Sequence, residues 1–172
     1  SIDKGIVIEG TATISSIACI KKQSQTQLVI GVAEENMGYI FTRQGKGSYS
    51  PSENSGGSGR GSGDGIGKAL AIGNVDGYGN NALIIGGSKT VYVIEGPITS
   101  DRDVERPLPA TFTDIRAITT GNVDGDWYDD IIVTADGGCY LFFGCNPLIG
   151  INEPLIFEKA DLGTSLVSCD IN

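Results

Sequence analysis

The sequence predicts an all-β protein in which short strands form tandem repeated units. Isoleucine and valine are abundant, and β-branched residues favour strands over helices. The apolar runs are only four or five residues long, whereas an amphipathic helix needs roughly ten or more. Glycine contributes 26 of the 172 residues, near twice the usual share of about 7%. This surplus indicates many turns between the strands.

A repeat with a constant offset organises the chain. The run GNVDG at 73–77 recurs at 121–125, which is 48 residues later. The same offset carries LII at 83–85 onto IIV at 131–133. Adding it once more leads to CDIN at 169–172, which opens a further repeat. Internal repeats of this length are typical of propellers and other tandem architectures.

The first repeat differs from the others in two places. Residues 15–43 carry the apolar pattern, but the loop is shortened and has Lys21 and Lys22 in place of acidic residues. A Gly/Ser-rich stretch follows at 44–65, with Tyr49 as its one apolar anchor. Because glycine has no side chain to hold a conformation, we expect a flexible loop here that proteases cut first and that carries no catalytic group.

Each repeat contains three apolar strands and a weaker fourth, which we place near 110–113 and 155–159. Four strands in about 50 residues, repeated in tandem, are typical of a β-propeller blade. A sandwich or jelly roll would explain the strands but not the constant offset. We therefore predict propeller blades of four antiparallel strands at 12–66, 67–114 and 115–162, with the start of another at 163–172.

The repeats resemble those of a known family. The motifs IG at 66–67, ALA at 69–71, GNVDG at 73–77 and IGG at 85–87 are similar to one FG-GAP repeat of the integrin α-subunit propeller. Two departures are Asp114-Ile115 in place of the Phe-Gly of the third repeat, and VTA at 133–135 in place of its Gly-Ala-Pro. The resemblance implies that residues 1–172 are a partial FG-GAP propeller domain from a larger ring.

A ring of this family has about seven blades, so three blades and an opening strand at 5–9 cannot close it. The uncovered blade faces would expose large apolar areas to water. We therefore expect the chain to continue in a parent protein, to be truncated, or to self-associate through these exposed faces.

The stretch NVDGDWYDDIIV at 122–133 resembles the calcium loop of the same family. Calcium takes six to eight oxygen ligands, and alternate residues of a tight loop point to one side. The alternate positions here supply three carboxylates, an amide oxygen and a backbone carbonyl. These candidate calcium ligands are Asn122, Asp124, Asp126, the carbonyl of Tyr128, and Asp130. Asp129 points the other way and is expected to cap the loop or face solvent. The alternative is an Asp/Gly-rich turn that binds nothing.

A second loop at 74–82, the sister loop, has the same frame but fewer acidic residues. Its alternate positions are Asn74, Asp76, Tyr78, Asn80 and Ala82, which leaves one carboxylate of three. Calcium affinity depends on the number of charged ligands. We therefore expect the sister loop to be empty, or to be held by hydrogen bonds from its Asn and Asp side chains to its own backbone.

Composition excludes several classes of function. Twelve basic and 21 acidic residues give a net charge of −9, which argues against nucleic acid as a partner. No apolar run approaches the roughly 20 residues of a membrane-spanning helix, so membrane insertion is not expected. Histidine is absent, which removes Ser-His and Cys-His catalysis and His-ligated zinc. We predict a protein that is not an enzyme.

Four cysteines, Cys19, Cys139, Cys145 and Cys169, do not have the spacing of a metal site. Cys19 and Cys139 lie in apolar runs, where buried reduced thiols are common. A disulfide among the four remains the alternative, since an even number of cysteines decides nothing.

The function we expect is a non-catalytic, calcium-binding propeller module for adhesion or protein–protein contact. It would act at the cell surface or outside the cell, in preference to the cytoplasm. One alternative is an intracellular scaffold in a multiprotein complex. Another is a carbohydrate-binding propeller, for which Trp127, Tyr128 and Tyr78 would supply an aromatic platform.

Overall fold

The structure is a computed structural model that describes residues 13–22, 25–35, 37–43, 49–51, 65–77, 79, 81–94, 105–146, 153–158 and 166. The strands are β1 (Ser16–Lys22), β2 (Gln25–Val32), β3 (Met37–Arg43), β4 (Tyr49–Pro51), β5 (Ala69–Gly73), β6 (Ala82–Gly86), β7 (Val91–Ile94), β8 (Glu105–Pro107), β9 (Ala117–Gly121), β10 (Asp130–Ala135), β11 (Gly138–Phe142) and β12 (Leu155–Glu158). Within these ranges a single 3-10 turn, Ala33–Glu35, is the one helical element. The prediction of an all-β fold is confirmed.

The strands form three antiparallel sheets of four, each with its strands in chain order. The first sheet contains β1 to β4, the second β5 to β8 and the third β9 to β12. Each sheet is thus a simple meander, in which every strand pairs with the next one along the chain. Short connections between antiparallel neighbours allow this topology, because no crossover is needed.

The second and third sheets share one hydrogen-bonding register. Ala69 pairs with Gly86 in the second sheet, and the residues 48 positions later, Ala117 and Thr134, pair in the third. The pairing between the second and third strands of each sheet obeys the same offset. The match ends at the outermost strand, where Tyr92 pairs with Pro107 but Tyr140 pairs with Ile156. The repeat in the sequence is therefore a repeat of backbone pairing, with one extra residue before β12.

The sheets meet at their first strands and pack face to face. Strand β5 lies between β1 and β9. Thr120 donates a hydrogen bond from its hydroxyl to the carbonyl of Ile72 at 2.6 Å, and Ser16 donates likewise to Gly67 at 2.7 Å, so both junctions carry a bond between sheets. Alternate residues of the strands face one neighbour or the other, as strand geometry requires.

Two apolar clusters fill the spaces between the sheets. The larger lies between the second and third sheets and includes Ile84, Val93, Ile131 and Val133, all nearly inaccessible to solvent. The smaller lies between the first and second sheets and includes Ile20, Val29 and Leu83, with Leu70, Ile72 and Ile40 packed against it. Burial of this apolar surface is the main force that joins the sheets.

The predicted fourth strand at 110–113 is wrong. The outer strand of the second sheet is β8, Glu105–Pro107, whose pairing continues as Leu108 donates its amide hydrogen bond to the carbonyl of Val91. Phe112 lies instead in the connection to β9 and is almost fully buried. Its ring stands edge-on to Tyr140, with ring centroids 5.1 Å apart. Its apolar character reflects this packing and not a strand. The strand predicted near 155–159 is present as β12.

Part of the predicted flexible loop at 44–65 is ordered. Tyr49–Pro51 forms β4, which pairs with Phe41, Thr42 and Arg43 at the edge of the first sheet. Of the remainder, the structure describes Gly65, whereas 44–48 and 52–64 lie outside the described residues. The opening strand predicted at 5–9 also lies outside them, as does the further repeat at 163–172 apart from Leu166.

The cysteine predictions have mixed outcomes. Cys19, Cys139 and Cys145 are free thiols, while Cys169 is outside the described residues. Cys139 is partly buried, and its burial raises the pKa of the thiol. Cys19 was expected in the core but is exposed, because the alternation of β1 turns Ile20 inward and Cys19 outward.

The outer edge strands differ in how they are protected. Strands β4 and β8 each end in proline, Pro51 and Pro107, which offers no amide for further pairing. Strand β12 contains no proline, although Pro154 directly precedes it, and Leu155, Ile156 and Phe157 are 51%, 52% and 57% exposed. This exposure supports the expectation that copies of the chain associate, which stays a prediction.

An ion pair joins the second sheet to the connection that leads into the third. Lys68 lies just before β5 and donates a hydrogen bond to the carboxylate of Asp114, with the two side chains 32% and 52% exposed. This bond, with the charge of Lys68 and a smaller contribution from Arg116, lowers the pKa of Asp114 below its ordinary 3.8. Asp114 has a positive φ of 49°, a conformation in which aspartate is one of the more tolerated residues.

Replacing Lys68 by methionine should lower the free energy of unfolding near pH 7 by about 0.5 kcal/mol, and by no more than about 1 kcal/mol for so exposed a pair. Because the pKa of Asp114 is lowered on folding, the stabilisation is present above the ordinary pKa of 3.8 and is lost as pH falls through the lowered value. Urea unfolding of both proteins at a series of pH values measures this. If the difference in unfolding free energy between the variant and the unaltered chain stayed constant below pH 3.8, the ion pair would not be the cause of the lowered pKa of Asp114.

Candidate functional site

The predicted calcium loop, 122–130, connects β9 to β10, and we call it the acidic loop. Strand β9 ends at Gly121 and β10 begins at Asp130, so the two strands fix both ends of the loop. The predicted ligand residues lie at three depths. Asn122, Asp124 and Asp126 are exposed, Tyr128 is half-buried, and Asp130 is fully buried. The loop thus runs from solvent into the third sheet.

The exposed side chains of the acidic loop organise its backbone. Asn122 Oδ1 accepts a hydrogen bond from the amide of Gly125 at 2.7 Å. Asp124 Oδ1 accepts from the amide of Asp126 at 3.1 Å, and Asp126 Oδ1 accepts from that of Tyr128 at 2.7 Å. These are the short-range turns that Asn and Asp favour. Gly125 has a φ of 83°, which glycine adopts without steric cost.

Asp130 anchors the loop from inside the protein. Its Oδ2 accepts the amide hydrogen of Val123 at 2.6 Å, and its Oδ1 accepts that of Gly144 at 3.0 Å. Burial raises the pKa of this carboxyl, the two backbone bonds oppose the rise, and the nearby charges of Asp124 and Asp126 add to it. The folded loop therefore holds a carboxylate whose negative charge a cation would stabilise.

The donor chemistry of the acidic loop fits calcium, while the side chains are turned to other partners. All four side chains and the Tyr128 carbonyl offer oxygen, the ligand type that calcium takes. In the part of the chain that the structure describes, no three acidic or cysteine side chains converge closely enough to hold a metal ion. One oxygen of each exposed carboxylate is instead directed to a loop amide. Asp124 and Asp126 are exposed, so rotation of their side chains meets little steric resistance.

A side chain of the sister loop bonds to the loop's own backbone, which is one of the two outcomes that we expected. Asn74 Oδ1 accepts a hydrogen bond from the amide of Gly79 at 3.1 Å. Asp76, the counterpart of the exposed Asp124 at the same offset, is 5% exposed. Tyr78 and Asn80 lie outside the described residues. The carboxylate of Asp76 is thus buried in the protein and does not project to the surface.

Asp129 has a role that the sequence did not predict. It was expected to cap its own loop or face solvent. Instead its Oδ2 accepts the amide hydrogen of Asn74 at 2.7 Å, in the sister loop of the second sheet. The signal was present in the alternation, which points Asp129 away from the candidate ligands. Sequence alone did not tell that another loop lies on that side.

The tip of the acidic loop is apolar and exposed. Trp127 is 90% exposed and Val123 is 54% exposed. Trp127 is the one tryptophan of the chain and stands between two predicted ligands, Asp126 and Tyr128. A tryptophan that the fold leaves in water is available for contact with a partner, since large aromatic residues are enriched at binding interfaces. It is also a spectroscopic probe at the loop itself.

Comparison with models of known protein families finds no match to this chain, and comparison with curated proteins finds none either. None of the described segments forms a helix with the length and apolar character that crossing a bilayer requires.

Proposed function

We propose that the chain is a stretch of a β-propeller of the FG-GAP type, in which the acidic loop binds calcium and the module makes protein contacts without catalysis. The observation that carries the proposal is the acidic loop itself. It sets three carboxylates, an amide and a carbonyl at alternate positions, and it anchors the innermost carboxylate by two backbone bonds. The candidate ligands remain Asn122, Asp124, Asp126, the carbonyl of Tyr128, and Asp130.

The arrangement of the sheets supports the propeller. Three meander sheets of four strands follow one another along the chain, and their first strands lie side by side. In a propeller, the first strands of successive blades surround a central channel while the faces of the blades pack together. The shared register of the second and third sheets supports a tandem repeat of one unit.

Two observations favour calcium over an empty turn. The ionised form of Asp130 is disfavoured by burial and by its acidic neighbours, so a bound cation would offset a cost that the fold already bears. The side chains that would complete the shell, Asn122, Asp124 and Asp126, are exposed and so are free of packing that would hold them away from an ion. When bound, calcium would neutralise the carboxylates and draw the loop together. The residues of the chain would supply the oxygens and hold the loop ends in place.

The exposed Trp127 favours a contact role for this end of the molecule. Its side chain is 90% exposed, so a partner could bury it without moving the sheets. Histidine is absent, and the oxygen-bearing side chains of the loop are of the type that calcium takes. We therefore place the function in binding, with a protein as the partner and a carbohydrate as the second candidate.

Calcium titration of the purified chain, followed by Trp127 fluorescence and by calorimetry, tests the proposal. Binding should change the emission of the tryptophan, because two flanking residues move onto the ion, and should release or absorb heat as calcium rises to about 1 mM, the weak end of known calcium modules. Asp126→Ala should abolish both signals, since it removes one of three charged ligands.

Asp136→Ala is the matched control. Asp136 is an exposed carboxylate that follows the far end of β10 and pairs with Arg116. Its removal changes the net charge equally but leaves the acidic loop intact, so calcium binding should be retained. If the unaltered chain gave neither heat nor a change in fluorescence, the acidic loop would be a turn that binds nothing.

A further inference from the structure

Asp129 joins the acidic loop of the third sheet to the sister loop of the second. Its backbone amide donates a hydrogen bond to the carbonyl of Asn74 at 3.0 Å. The amide of Asn74 donates in return to Asp129 Oδ2 at 2.7 Å. The second bond ends on a carboxylate and belongs to the stronger, charge-assisted class. Together the two bonds fix the distance and the orientation of the loops.

Two further residues, Tyr128 and Cys145, contact the same part of the sister loop. The ring of Tyr128 covers Gly77 so closely that a Cβ on this glycine would lie 2.9 Å from the ring atom Cδ1. The amide of Cys145 donates a hydrogen bond to the carbonyl of Val75 at 3.0 Å. The stretch 74–77 is thus held at three points, Asn74, Val75 and Gly77, by the third sheet and its loops.

Asp129 also stands between two of the proposed calcium ligands. The carbonyl of Tyr128 precedes it, and the buried carboxylate of Asp130 follows it. The carboxylate of Asp129 is turned to the sister loop, whereas that of Asp130 is turned to Val123 in the acidic loop. An ion that fixes residues 128 and 130 therefore also fixes Asp129 between them, and with it the two hydrogen bonds to Asn74.

We propose that Asp129 is a positioning residue through which calcium in the acidic loop orders the sister loop, so that one ion stabilises two sheets. The inference rests on the calcium site proposed above. The sister loop has one carboxylate where the acidic loop has three, and it gains its order from the neighbouring loop in place of an ion of its own. The coupling is reciprocal, so loosening the sister loop weakens calcium binding.

Amide exchange of the full 15N-labelled chain, followed by NMR with and without calcium, measures this coupling. The amide of Asn74 reports directly, because it donates to Asp129, and those of Val75, Asp76 and Gly77 report on the rest of the stretch. With calcium, exchange of these amides should slow by about 5- to 150-fold, the range of ordinary coupling between sites. Unchanged exchange at 74–77, in a chain whose Trp127 fluorescence shows calcium binding, would overturn the inference and leave the proposed function standing.

Two variants separate the role of Asp129 from that of a ligand. Asp129→Ala removes the acceptor for Asn74, whereas Asp129→Asn keeps an oxygen in the same place. The alanine variant should still bind calcium, weakened by the same factor by which calcium protects 74–77 in the unaltered chain, but it should lose that protection. The asparagine variant should keep most of it.

Each other outcome also decides the question. If the alanine variant lost calcium binding altogether, Asp129 would be a ligand and the inference would be wrong. If it kept the full protection, the coupling would run through Tyr128 or Cys145 and not through Asp129. If the unaltered chain bound no calcium, the proposed function would fail and this inference with it.

Discussion

Replacing Asp130 by alanine is expected to lower the free energy of unfolding by about 2–4 kcal/mol in the absence of calcium, because the buried amide of Gly144 loses its partner at a cost of about 1–3 kcal/mol and the partly buried amide of Val123 adds less. The carboxylate is fully buried, and its two oxygens accept the amides of Val123 and Gly144. Its removal leaves both amides without their partner. The loss of a buried charge offsets part of this cost, so the effect should fall short of the sum for two donors.

Urea unfolding in the presence of a chelator measures the effect of Asp130→Ala, and Asp126→Ala is its control. Asp126 is exposed and makes one bond within the loop, so its loss should change stability by about 1 kcal/mol at most. The two variants therefore separate structure from binding: both should lose calcium, but only Asp130→Ala should lose stability. Equal stability of Asp130→Ala and the unaltered chain in chelator would show that Asp130 does not anchor the loop.

Replacing Gly31 by alanine should destabilise the junction of the first and second sheets by about 2–4 kcal/mol, which combines overpacking with a lost hydrogen bond. Gly31 lies in the central strand β2, and a Cβ there would overlap the carbonyl oxygen of Gly67 and the hydroxyl of Ser16. The added carbon would therefore displace the bond that Ser16 donates to Gly67 at 2.7 Å. For a chain of this length, the melting temperature should fall by about 5–15 °C.

Thermal unfolding of Gly31→Ala beside Ser16→Ala separates the two causes. Ser16→Ala removes the hydroxyl without adding volume, so it should cost only about 1 kcal/mol. The larger loss in Gly31→Ala then measures the close approach of two backbones. If the two variants melted at the same temperature, the sheets would not be in contact at Gly31.

The sequence predicted the pairing of the second and third sheets closely, because a repeat of apolar positions constrains the backbone. Side chains alternate with period two, so a constant offset between two sets of strands requires the same register in both. The turn at 122–130 was likewise predictable, since the residue types that form it are local; that its residues bind calcium stays a prediction. No knowledge of distant contacts was needed for either.

Two of the errors share one physical origin, which is contact between parts far apart in the chain. Phe112 is apolar because it fills the space beside Tyr140 and Phe142, and a short apolar run cannot be told from a strand by its composition. Asp129 was assigned to its own loop because its partner, Asn74, lies 55 positions away. Alternation tells which residues share a face, but it does not tell what lies opposite that face.

The missing proline of β12 has a consequence for how the chain behaves when it is made in quantity. An unprotected edge with apolar side chains on both faces is a template onto which another extended segment can add, including a segment of a partly folded copy. The proline endings of β4 and β8 block such growth at the other outer edges. Aggregates should therefore be seeded at Leu155–Glu158, and a proline or lysine at the centre of this strand is the natural gatekeeper substitution for soluble expression.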